Sequence, residues 1–311
     1  MSTVRIEDIS HVRFSAPDLD GMAAFLVEFG LKLVPSDDGV LYARGVGPAP
    51  FVHATEKGEP GFSALGLRAA SVADLERLAK AENATLKTLT TPGGGWVVTL
   101  TDPDGRRVEV VSGQQLSQLP QPDAGAQHND ARVKARVRSP FRISEGPATV
   151  VRLGHAVLEV KDFRASEAWF KSRFGFVTSD EIEMEPGMAI GAFLRCDRGD
   201  TPTDHHTLFL LQSPNAPRFN HAAFEVANLD DLMRGHTHLK RAKRTSAWGV
   251  GRHILGSQIF DYWKDPWGHE LEHWTDGDLF TAADGSNKAS LQDLLGVQWG
   301  PLHPMMAGEQ P

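Results

Sequence analysis

Short apolar runs alternate with helical stretches along this chain, and the alternation repeats. Residues 10–14 (SHVRF) read as a strand, Pro17-Asp18-Leu19 as a break, residues 22–29 as a helix, and Gly30-Leu31 as its stop. Residues 154–158 (GHAVL), Lys161-Asp162-Phe163, residues 165–174 and Gly175-Phe176 give the same order. Asp18 and Asp162 stand where an N-cap accepts from free helix amides. Gly30 and Gly175 stand where a helix ends in a left-handed residue. Further on, residues 64–67 (ALGL) run into a helix start at 72–75, and residues 221–224 (HAAF) into one at 229–232. Apolar residues 96–100 and 108–111 read as strands. The last element repeats most clearly. Asp102-Pro103-Asp104-Gly105 precedes Glu109, and Asp265-Pro266-Trp267-Gly268 precedes Glu272, with the glutamate seven residues after the first aspartate in both.

The pattern predicts two related modules, residues 1–112 and 150–275. Between them, residues 113–149 are rich in Gln, Pro, Asp and Gly and read as a linker. Residues 276–311 form a tail with a short helix expected over 288–295. A length of 311 residues suits this two-part plan. With 41% hydrophobic and 23% charged residues, the composition is that of an ordinary globular chain. The net charge of −8 gives no global footprint for nucleic acid or an anionic membrane. The lone cysteine, Cys196, precludes an intrachain disulfide. With no leader pattern and no long apolar run, the expected compartment is the cytoplasm.

The modules differ in chemistry. Of 13 histidines, only His11, His53 and His128 precede residue 150. At matched places the first module offers His11, Ala64 and Glu109, and the second His155, His221 and Glu272. A lone histidine in a strand is ordinary, and Asp-Pro-x-Gly is a good type I turn. Three donors at equivalent positions, with the other copy lacking one, point further. Two imidazoles and one carboxylate form a facial triad that leaves adjacent metal positions open and suits Fe(II). A closed Cys-rich zinc site is excluded by the cysteine count.

The stretch 251–272, GRHILGSQIFDYWKDPWGHELE, resembles the signature of the type I extradiol ring-cleavage dioxygenases of the vicinal oxygen chelate superfamily. That signature runs from a His through a Tyr and an acidic-Pro-x-Gly turn to a metal-binding Glu, here His253, Tyr262 and Glu272. The signature position before the tyrosine is usually apolar; here it is Asp261. The resemblance implies an α+β fold of two tandem modules, each a pair of βαβββ units, with the first module degenerate. It implies that His155, His221 and Glu272 bind Fe(II), or less often Mn(II), with O₂ as co-substrate. It also implies that His206 is the acid/base and that His253 and Tyr262 hydrogen-bond the bound oxygen species and the catecholate. The substrate is then a small aromatic diol and the assembly a homo-oligomer, with no nucleic-acid or membrane partner. Two rivals are a glyoxalase-like isomerase of the same superfamily and a non-enzymatic binder of small molecules. Because neighbouring strand residues face opposite sides, His205 and His206 are not both expected to enter the pocket fully. His236, His238 and the basic run 240–244 are expected on the surface, and the tryptophans at 248, 263, 267 and 274 near the signature. His273 is expected on the face opposite Glu272.

Overall fold

Helix ends fall where the capping residues stand. The computed structural model describes residues 2–117, 119–120 and 127–306; the QPDAGA centre of the expected linker and the end of the tail lie outside them. Asp18 accepts from the amides of Asp20 and Gly21 and opens the helix Leu19–Phe29; Gly30 closes it at φ +106°. Asp162 accepts from Ala165 N and opens Phe163–Phe174, which Gly175 closes at φ +73°. Any side chain at Gly30 would also meet the carbonyl of Ala148 at 2.2 Å, so this glycine is required for both conformation and packing.

The strands form two large mixed sheets of one design. The first is ordered Lys32–Val34, Leu41–Arg44, His53–Lys57, Ile6–Ala16, Gly61–Ala69, Arg107–Ser112, Trp96–Thr101, Leu86–Thr88. The second repeats it as Val177–Glu185, Met188–Arg195, Leu208–Gln212, Val150–Val160, Arg218–Val226, Glu270–Thr275, Ile259–Lys264, Thr245–His253. In both, the long first strand is parallel to its third-hairpin neighbour and antiparallel to the next unit's first strand. Chain order gives βαβββ four times, the α+β architecture expected. The second sheet gains one strand at each edge from the tail, Asn287–Ser290 and Val297–Trp299. Residues 288–290 were expected to be helical. They lie instead beside Val177–Glu185, whose open backbone groups they satisfy, and the helix is confined to Leu291–Leu295.

One apolar cluster runs through both sheets, from Val12, Phe14 and Phe29 to Phe163, Phe224 and Trp263. Phe219 of the second sheet stacks on Phe62 of the first at 4.7 Å. The first Asp-Pro-x-Gly turn also serves this seam. Asp102 binds Arg106, and Arg106 Nη1 donates to the carbonyl of Glu159. Arg244, expected in solvent, pairs with Glu28 and lies over Phe25. No helix among the described residues is long and apolar enough to cross a membrane.

Candidate metal centre

Four adjacent strands of the second sheet present one row of side chains. His155 pairs in register with Ala223, Ala223 with Glu272, and Glu272 with Tyr262. Alternation then puts His221, two residues before Ala223, on the same face. A bulge opposite Ala223 and Phe224 makes room beside His155. There Gly154 lets the Trp274 indole lie across the strand; a Cβ at 154 would meet Trp274 Cζ2 at 2.5 Å.

The ligand atoms of His155, His221 and Glu272 all lie within 4.8 Å of one another. His155 Nε2 and His221 Nε2 are each 3.4 Å from Glu272 Oε2, and His253 Nε2 is 3.8 Å from Oε1. These separations exceed those of strong charge-assisted hydrogen bonds. Glu272 is fully buried, and neither of its carboxylate oxygens has a hydrogen-bond partner among the described residues. A bare buried carboxylate is expensive, and a divalent cation among these atoms removes that expense. The donor set therefore fits such an ion. Burial alone would raise the Glu272 carboxyl, but His155, His221 and His253 outweigh it and hold it well below the usual range. Burial lowers the His155 imidazole, keeping it neutral as ligation requires. Asn220 Oδ1 lies 2.8 Å from His221 Nδ1 and directs the Nε2 lone pair of His221 toward Glu272.

The other expected residues surround this row. His206 is 4% exposed, and its ring lies 4.0 Å from that of His155. Burial, then His155, push its imidazole well below the usual value. His253 Nε2 is 3.2 Å from Tyr262 Oη. Burial, then the Glu272 charge, raise the Tyr262 phenol well above its usual value, so it remains a neutral O–H donor. Trp248 packs on Tyr262, Phe260 and His253, and Trp274 near His155; Trp263 belongs to the core behind the sheet.

Two readings need correction. His205 and His206 sit in the turn between Thr203–Asp204 and Leu208–Gln212, so strand alternation does not apply; both rings are buried, His206 against His155 and His205 behind it. His236 is not a free surface residue: its Nδ1 meets both oxygens of the fully buried Asp261 at 3.1 Å. Asp261 also accepts from Trp263 Nε1, so the unusual acid is satisfied behind the sheet and the register of Tyr262 is undisturbed. His273 does face away from Glu272, and its Nε2 meets the carbonyl of Phe29. Sequence reasoning missed Asn220, Asp180 and His303. Asn220 was findable as the residue before a proposed ligand. Asp180 lies 25 residues from its partner, His205. His303 packs on Trp248 from the tail.

Residues 152–273 match the family described as Glyoxalase/Bleomycin resistance protein/Dioxygenase superfamily. The chain is similar to metapyrocatechase 2 of Cupriavidus necator, with 27% identity over 96% of this chain and 90% of that one. It is similar to the iron-dependent extradiol dioxygenase of Rhodococcus jostii, with 27% identity over 98% and 99% of the two chains. Its fold is similar to that of homoprotocatechuate 2,3-dioxygenase from Brevibacterium fuscum, solved as an anaerobic complex with 3,4-dihydroxyphenylacetate. That match has a TM-score of 0.79 at 18% identity and covers 99% and 93% of the chains.

Proposed function

We infer that this chain, a member of the glyoxalase/dioxygenase superfamily, is an extradiol dioxygenase that opens a catechol-type aromatic ring with both atoms of O₂. The observation that carries this reading is the buried Glu272 carboxylate, bare of hydrogen bonds between two imidazoles. We assign His155, His221 and Glu272 as ligands of Fe(II), in keeping with the iron-dependent relative. When bound, the ion supplies Lewis acidity toward both diol oxygens and an electronic route from ring to O₂.

The chain's own residues supply the rest. His206, neutral in its buried setting, accepts a diol proton and returns it later. Tyr262 stays protonated and donates from Oη to an oxygen of the bound diol. His253, 3.2 Å from Tyr262 Oη, places a second polar group where negative charge develops. Phe193 and Trp274, packed on His206 and His155, restrict water. Residues 150–275 are the catalytic part, 1–112 the supporting part and 113–149 the connection. The same reading makes the enzyme a cytoplasmic homo-oligomer.

The test is to load the protein with Fe(II) without oxygen, then follow O₂ uptake and visible absorbance over a panel of substituted catechols. The expected result is about one iron per chain, about one O₂ per ring and a yellow ring-opened product. Iron-loaded protein that consumes no O₂ with any catechol overturns the reading.

A further inference from the structure

Behind His206 lies a buried chain of polar side chains that the reaction as described does not use. Asp180 is 7% exposed, His205 1% and His206 4%. His205 Nε2 is 2.5 Å from Asp180 Oδ2, and His205 Nδ1 is 3.1 Å from His206 Nδ1. His205 is gripped on several sides. Its amide donates to Asp278 O, and its carbonyl accepts from Ser179 Oγ at 2.5 Å. Its ring lies between Phe193 and Phe280. Gly256, at φ +75°, leaves no room between them: a Cβ there would come within 3.0 Å of His205 Nδ1. Arg195, the nearby cation, is directed to Ser179 Oγ and the Thr178 carbonyl, leaving Asp180 to His205.

This geometry constrains where the protons can sit. A carboxylate only accepts, so His205 donates from Nε2–H to Asp180. When that Nε2 proton is the only one on the His205 ring, its Nδ1 is bare. Two bare nitrogens cannot face each other at 3.1 Å without repulsion, so His206 donates from Nδ1–H. His206 Nε2, which has no protein hydrogen bond among the described residues, is left as a lone pair. We propose that Asp180 and His205 are positioning residues that hold His206 in its Nδ1–H tautomer and so make Nε2 the base that takes the proton of the aromatic diol. The catalytic part of this proposal rests on the dioxygenase reading; the tautomer does not. Doubly protonated His205 would impose the opposite arrangement, with the proton on His206 Nε2, so the two states are separable by experiment.

The test is ¹⁵N–¹H correlation spectroscopy of histidine-labelled, metal-free protein, with His206 assigned by the signals lost in His206→Ala. The expected spectrum has His206 protonated on Nδ1 and bare at Nε2. His205→Asn keeps an acceptor oxygen near the Nδ1 position and retains this tautomer. His205→Phe removes the acceptor and moves the proton to Nε2. In iron-loaded enzyme, His205→Phe lowers kcat by at least about tenfold, with KM and iron content within about twofold, and His205→Asn restores most of the loss. A wild-type His206 protonated on Nε2, or a tautomer unchanged in His205→Phe, overturns the proposal. The wild-type spectrum alone decides this if the phenylalanine variant does not fold. The predicted tautomer in an iron-loaded enzyme that cleaves no catechol overturns the dioxygenase reading and leaves the proton assignment standing.

Discussion

Glu109 and Glu272 occupy equivalent places in the two sheets, yet their surroundings are opposite. Glu109 Oε2 lies 2.8 Å from both His11 Nε2 and Arg13 Nε, and Arg107 Nε is 3.3 Å from Oε1. Among the described residues Glu272 has no arginine or lysine ion pair and no hydrogen bond. The repeat matches Arg13 to Val157 and Ala64 to His221: Arg13 pairs with Ala64 in register, as Val157 does with His221. The first half has thus lost one imidazole and gained a resident guanidinium on the same face. A carboxylate buried amid four strands needs a positive partner. In one sheet the protein supplies it permanently; in the other, on the function proposed above, the place is left to a cation from solution. Burial alone would raise Glu109, but His11 and Arg13 hold it down to about 2. On that reading one scaffold gives a structural ion pair or a metal centre according to two side chains.

The largest effect separates the two glutamates. Glu272→Gln should lower metal affinity by about a hundredfold or more, since residues that only support ligands already cost about 10–100-fold. Activity should fall with it, as metal analysis and O₂ uptake on the same sample would show. Glu109→Gln should keep about one iron per chain. A Glu272→Gln protein with full iron and full turnover breaks the comparison.

A graft sharpens it. Arg13→Val with Ala64→His removes the buried guanidinium, leaving the more exposed Arg107, and places an imidazole beside His11 and Glu109. Bound iron or manganese should rise from about one to about two per chain, counted after desalting. Stoichiometry unchanged in a folded double variant would break the comparison, since these two side chains would then not decide between ion pair and metal. Without the graft, Glu109→Gln leaves the buried Arg13 with the more distant Glu56, at 3.8 Å, and should destabilise the protein by up to about 3 kcal/mol, read from urea denaturation of the metal-free chain.

Legibility followed locality. The four-unit repeat was readable because each unit carries its own signals, such as Asp18 and Gly30 around one helix and Asp162 and Gly175 around another. The row of His155, His221 and Glu272 was readable because strand alternation and the repeat give the same answer. What depended on packing between distant segments was not. His236 looks solvent-facing on its helix, yet it meets Asp261 because the back of the sheet buries an acid there. Residues 288–290 have no strand pattern of their own and were drawn to an open sheet edge. Asp180 has no neighbour in sequence that marks it, since only the fold brings it to His205. Arg13 was in plain view, but its meaning appears only when it is set against Val157.

The smallest effect concerns a second buried group of the first sheet. His53 is fully buried, its ring stacks on Phe14 at 5.0 Å and 15°, and its Nε2 has no hydrogen-bond partner among the described residues. Burial lowers its pKa from 6.5 to about 3. Below pH 6.5 the unfolded chain therefore binds a proton there and the folded chain does not. Stability is intact above pH 6.5 and declines as pH falls toward 3, by about 1.4 kcal/mol per unit for this one proton. Glu109 acts in a lower window. Its stabilisation is complete above about 4.5 and is lost as pH falls toward 2. Urea denaturation between pH 7 and 5 thus isolates His53 from Glu109. His53→Phe keeps the ring stack and removes the titration, so the difference in stability between variant and wild type should shift toward the variant by about one proton's slope as pH falls. A difference that stays constant over this range would mean that His53 is protonated in the folded protein, and the apolar seam of the first sheet would then hold a charge.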